Sequence, residues 1–144
     1  MDDDDFGPPA FSLFEASLER SMVPFTIKGV TVQLECVFDD PGALQSGHFL
    51  WPGARFLADF LEASWSSLPL SASPSFLELG SGCGFIGLVL SILGAEHIVL
   101  TDYEPLLVEL ASSNMERHGD LSASFLCEEM AWGGDGLPPS VLAF

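Results

Sequence analysis

"FLELGSGCGFIGLVLSILGAEHIVLTDYEP", Phe76 to Pro105, decides the fold: Gly80, Gly82, Gly84 and Gly87 recur between two apolar runs. Phe76 to Leu79 reads as a buried strand, Phe85 to Leu93 as a helix and His97 to Thr101 as a second strand. Glycines in a strand-loop-helix turn permit positive φ and let a ligand touch the backbone, while the unpaired N–H groups opening the helix supply donors. A loop of this kind expects a nucleotide-like ligand.

Two parsings compete. Gly82-Cys83-Gly84-Phe85-Ile86-Gly87 fits the dinucleotide pattern G-x-G-x-x-G, and Glu78-Leu79-Gly80-Ser81-Gly82-Cys83-Gly84 fits E-x-G-x-G-x-G. A dinucleotide brings an anionic pyrophosphate, which a carboxylate at Glu78 would repel at close range. S-adenosylmethionine instead carries a sulfonium and an ammonium group, which Glu78 would attract, directly or through water. The second parsing is therefore preferred, and a nicotinamide-dependent oxidoreductase stands as the alternative that Glu78 opposes. Asp102 lies 22 positions after Gly80, at the end of the second strand, where a carboxylate can accept hydrogen bonds from both ribose hydroxyls.

Outward from this stretch the pattern continues as β-α-β-α-β. Leu106 to His118 reads as a helix and Ser124 to Cys127 as a third strand, which calls for a parallel sheet. Upstream, Phe25 to Phe38 alternates with period two about Lys28-Gly29, the pattern of a β-hairpin. Phe11 to Met22 reads as a short helix, and Phe56, Leu57, Phe60 and Leu61 share one face of a helix from Pro52 to Ser64. Ser66 to Ser75 is a Ser/Pro connector. The expected division is an acidic tail (1–10), a helix, hairpin and helix extension (11–75) and a partial nucleoside-binding α/β domain (76–144). Beyond Trp132 comes a glycine- and proline-rich loop, and then apolar residues where a further strand would start. The expected first strand thus has an open edge, a route to self-association.

Composition narrows the function. The formal charge of −17 leaves Arg20, Lys28, Arg55 and Arg117 against 21 acidic residues, so nucleic-acid binding is disfavoured. Three dispersed cysteines fit a reducing compartment rather than a zinc site or a disulfide scaffold. His48, His97 and His118 lack ligand spacing, so no metal is implied. The apolar run Phe85 to Ala95 is far short of the roughly 20 residues that span a bilayer, and Asp2 to Asp5 stand where a secretory signal needs positive charge. A soluble cytoplasmic protein is expected, with the nucleus also open to it and no membrane partner.

With Glu78 to Gly84 and Asp102 placed, the chain resembles the Rossmann-like, seven-stranded S-adenosylmethionine-dependent methyltransferases. "GHFLWPGARFLADFL", "ELGSGCGFIGL" and "MAWG", in this order, resemble more narrowly the eukaryotic protein-lysine methyltransferases of methyltransferase family 16. The resemblance covers Val30 to Gly133. It implies that Trp51 borders the cofactor, that Gly80, Ser81 and Gly82 lie under its methionine and sugar, that Asp102 holds the ribose and that Trp132 packs by the adenine. Glu78 and Gly84, in the same loop motif, are counted with them as cofactor-binding residues, and Trp65, outside the motifs, is assigned to packing. The implied substrate is a protein lysine side chain, attacking a sulfonium methyl in line; no side-chain nucleophile is needed and no catalytic residue is assigned. The family pattern goes on to a fourth strand bearing an acidic-x-x-aromatic motif, which this sequence does not show. The expectation is therefore a partial catalytic domain, or alternatively a non-catalytic product acting through its sheet edge.

Overall fold

The computed structural model describes residues 19–38, 47–134 and 136–144. Its first unit is an antiparallel hairpin of β1 (Glu19–Ile27) and β2 (Val30–Phe38), with Ile27 opposite Val30 and Glu19 opposite Phe38. The two turn residues have positive φ, 47° at Lys28 and 76° at Gly29, as a two-residue turn matched to strand twist requires. The Lys28 N–H donates to Glu62 at 2.6 Å, tying the turn to α1 (Pro52–Ser64). The expected helix over Phe11 to Met22 is not supported where it can be seen. Glu19 to Met22 continue the hairpin, because Met22 pairs with Glu35 and Glu19 with Phe38; residues 11–18 and the expected tail at 1–10 lie outside the described residues.

The second unit is a parallel sheet of β3 (Ser75–Leu79), β4 (His97–Asp102) and β5 (Ser124–Glu129), with β4 in the middle. Helix α2 (Phe85–Leu93) joins β3 to β4, and α3 (Pro105–Arg117) joins β4 to β5. Register places Glu78, Leu100 and Cys127 side by side, and α2 packs on Leu100, which a Cβ at Gly87 would approach to 2.7 Å. The hairpin lies over the two helices, β1 against α2 and β2 against α3. Leu34, Leu88 and Leu100 are fully buried between these layers, each worth roughly 1.5–3 kcal/mol of transfer free energy.

Asn114 fastens the layers. From α3 its side chain donates to the carbonyls of Glu35 (2.9 Å) and Cys83 (2.8 Å) and accepts from the Glu35 N–H (2.8 Å). Trp65 stacks on Phe76 at 5.6 Å, in the packing role expected of it. Two further expectations change. Helix α1, which packs on α2, buries Ala58 and Leu61, whereas Phe56, Leu57 and Phe60 face solvent. The terminal apolar residues form a short helical turn, α4 (Pro139–Leu142), instead of starting a strand, since Pro139 fits the first position of a helix. Among the described residues no helix is long and apolar enough to cross a membrane.

Candidate functional site

Where β3 ends, its chain turns at once. The N–H groups of Gly80 and Ser81 both donate to the Thr101 carbonyl at 2.9 Å, and the Thr101 hydroxyl donates to the Glu78 carbonyl at 2.9 Å. The loop is thereby pinned to the tip of β4. Gly82 (φ 54°) and Gly84 (φ 81°) then steer it into α2 through conformations that L side chains rarely adopt. Space is tight as well: a Cβ would sit 3.0 Å from the Gly47 carbonyl oxygen at Gly82, and 3.1 Å from Ala111 at Gly84.

A second segment closes on this loop. His48 is fully buried, its ring hydrogen-bonds to Glu104 at 2.9 Å just beyond β4, and its carbonyl accepts from the Val37 N–H at 3.1 Å. These contacts hold Gly47 to Trp51 over the glycine loop. Phe49 stacks on Trp51 with ring centres 5.5 Å apart and planes 18° from parallel.

Between the two segments lies a cavity of about 640 Å³, within the range that holds small ligands and cofactors. Trp51, Glu78, Gly80, Ser81, Gly82, Asp102 and Trp132 all line it. Gly84 does not; its place is against Ala111, under the helix start. Trp132 overhangs the loop, so that a Cβ at Gly80 would meet its ring at 3.4 Å. Phe49, Tyr103 and Leu107 also line the cavity. Sequence reasoning did not assign them, for aromatic and leucine residues outside a glycine motif carry no signal of their own.

The charged lining groups among the described residues are two carboxylates, Glu78 and Asp102, with no cationic side chain. Asp102 is 5% exposed and its oxygens are engaged, accepting from the Gly82 N–H at 2.9 Å and the Glu104 N–H at 3.3 Å. Its carboxylate therefore braces the loop in addition to facing the cavity. Glu78 differs: Oε2 is shut off from solvent without a hydrogen-bond partner. Burial, and secondarily the charge of Asp102, push its carboxyl up to about 8, so near neutral pH it holds a proton. Its ability to repel a phosphate or attract a cation thus depends on giving that proton up.

An orphaned buried acceptor, apolar walls and a glycine cradle suit a nucleoside that carries a hydrogen-bond-donating cationic group such as an ammonium. Comparisons with known proteins agree. A family model described as lysine methyltransferase matches residues 33–143. A protein N-terminal and lysine N-methyltransferase, EFM7 of Gibberella zeae, is 33% identical over 99 residues, covering 63% of this chain and 36% of its own. The protein-lysine methyltransferase METTL21E of Bos taurus is 35% identical over 89 residues, 60% of this chain and 30% of its own. The chain thus spans about a third of the length of these curated relatives. Among solved structures, the 16S rRNA N2 G1207 methyltransferase RsmC of T. thermophilus, in complex with AdoMet and guanosine, superposes with a TM-score of 0.58 at 20% identity. That match covers 79% of this chain and 28% of the other, and it establishes the Rossmann-like fold. With 111 consecutive residues inside the family model, this chain belongs to the lysine methyltransferase family.

Proposed function

We propose that the cavity binds S-adenosylmethionine and that the chain serves methyl transfer to a lysine side chain of a protein substrate. The observation that carries this is the pairing of a positive-φ glycine loop with two carboxylates and, among the described residues, no lining cation. Family membership and the protein-lysine relatives support the substrate class.

Each lining residue has a defined share. Glu78 Oε2 offers its vacant acceptor to the ammonium end, and a cation at that distance draws its carboxyl back toward the ionised form. Asp102 stands at the tip of β4, beside the ribose, while the indoles of Trp51 and Trp132 line the cavity as flat apolar walls for a purine. Gly80, Ser81 and Gly82 bring bare backbone beneath the ligand. When bound, the cofactor supplies a methyl group activated by its sulfonium. The chain's own work is to orient that group and to screen it from water, with no nucleophilic side chain.

Calorimetric titration of the folded chain with S-adenosylhomocysteine and, separately, with NAD tests this. Saturable heat with the first and none with the second is expected, and Asp102→Ala should weaken binding by at least about fivefold, close to 1 kcal/mol. Binding of NAD instead would return the nicotinamide reading. Silence with both ligands would favour a non-catalytic role.

A further inference from the structure

Cys36 and Cys83 are distant in sequence, yet the fold sets their sulfurs 3.9 Å apart, one on β2 and one in the glycine loop. Both are buried, at 1% and 3% exposure, and Cys83 alone of the two lines the cavity. From this juxtaposition we propose that Cys36 and Cys83 are a redox-responsive thiol pair, whose oxidation to a disulfide fastens the glycine loop to the hairpin and weakens ligand uptake by the cavity.

Closing the bond requires the sulfurs to approach from 3.9 Å to about 2.05 Å. The oxidant is a peroxide small enough to enter the cavity. One thiolate attacks a peroxide oxygen, and after proton uptake leaves a sulfenic acid and one water. The partner thiol then attacks that sulfur, forming the S–S bond and releasing a second water. In sum two thiols and one hydrogen peroxide give one disulfide and two waters. The sulfur–sulfur contact divides the roles within the pair: it holds the Cys36 thiol below its ordinary range, against burial, and together with burial pushes the Cys83 thiol up, so Cys36 supplies the thiolate and Cys83 the second thiol. Burial first, and the charge of Glu116 second, push Cys127 on β5 up to about 11, which makes it a poorer competitor.

The consequence for the cavity follows from how tightly the loop is held. Cys83 stands between Gly82, whose N–H donates to Asp102, and Gly84, which has little room against Ala111. Its carbonyl is already fixed by Asn114. Drawing its sulfur toward β2 therefore strains the Gly82 to Asp102 hydrogen bond and moves the cavity wall. This second half rests on the cavity being the S-adenosylmethionine site; the thiol pair itself does not.

The test treats the full chain with a slight excess of hydrogen peroxide, blocks remaining thiols with iodoacetamide, and maps the peptides. A mass loss of about 2 Da, a Cys36–Cys83 cross-link and an alkylated Cys127 are expected. The dissociation constant for S-adenosylhomocysteine should rise by at least about threefold and recover with dithiothreitol. Cys36→Ala, or Cys36→Val if alanine unfolds the chain, should bind as the reduced protein does and ignore peroxide. Cross-links to Cys127, intermolecular cross-links, or over-oxidised thiols without the bond would overturn the pair. A mapped Cys36–Cys83 bond with unchanged affinity would overturn the gating. If even the reduced chain fails to bind the ligand, the cofactor assignment falls, and the peptide map alone upholds or overturns the pair.

Discussion

Helices α1 and α2 touch each other and are both rich in apolar residues, yet they meet solvent in opposite ways. Eight of the nine residues of α2 are buried, because β4, α1, α3 and β1 surround it. Of the 13 residues of α1 only Ala58 and Leu61 are buried, and Phe56 is 74% exposed. Apolar content alone does not fix burial; what encloses a helix does. The enclosed helix positions the glycine loop at its start, whereas the open one contributes Ala54 and the Trp51 segment to the cavity rim.

This contrast is tested most strongly by truncation. Leu88→Ala in α2 should lower unfolding free energy by about 2–5 kcal/mol in urea titration, while Phe60→Ala in α1 should change it by less than about 0.5 kcal/mol. Equal costs would erase the distinction. Asn114→Ala cuts the tie between hairpin and loop, and leaving buried backbone groups unpaired should cost about 2 kcal/mol. Faster amide exchange at Glu35 would locate the loss; unchanged exchange there would argue that packing alone joins the layers. Gly87→Ala crowds Leu100 and should cost about 1–2 kcal/mol, sharpening the account of how α2 is enclosed.

A separate effect concerns pH. Because burial raises the Glu78 carboxyl from 4.5 to about 8, the folded chain holds a proton that the unfolded chain releases. The associated stability is fully present below pH 4.5 and is lost as pH rises through about 8. The melting temperature should therefore fall from about pH 5 to about pH 8.5, and Glu78→Gln should flatten that part of the slope. An unchanged slope would place the carboxyl in contact with water.

The same contrast explains what could be read from the sequence. In the sheet unit, helix α2 begins and ends where its glycines require, and β3 to β5 fall within two residues of the periodicity, since each element is signalled by its own local pattern. The hairpin turn was legible for the same reason, Lys28-Gly29 being a strong turn signal. What was not legible depended on other elements. The alternation of β1 fades before Phe25, and pairing with β2 rather than local propensity keeps Glu19 to Met22 extended. Phe56 and Phe60 have the spacing of a core face, but only the position of α2 reveals that Ala58 and Leu61 turn inward instead. Of the site, the loop and both carboxylates were visible in the chain. The proton on Glu78, the second duty of Asp102 as a brace for Gly82, and the meeting of Cys36 with Cys83 arise from tertiary proximity, which spacing does not encode.

The central claim is that an adenosine-bearing cofactor with an ammonium at its amino-acid end rests on the bend after Leu79. Amide and indole chemical shifts of the isotopically labelled chain, followed while S-adenosylhomocysteine is added, test it most directly. The account predicts saturable changes centred on the amides of Gly80, Ser81, Gly82 and Asp102 and on the indoles of Trp51 and Trp132, with Trp65 unmoved. A folded chain whose spectrum does not respond, or responds away from that bend, would contradict it.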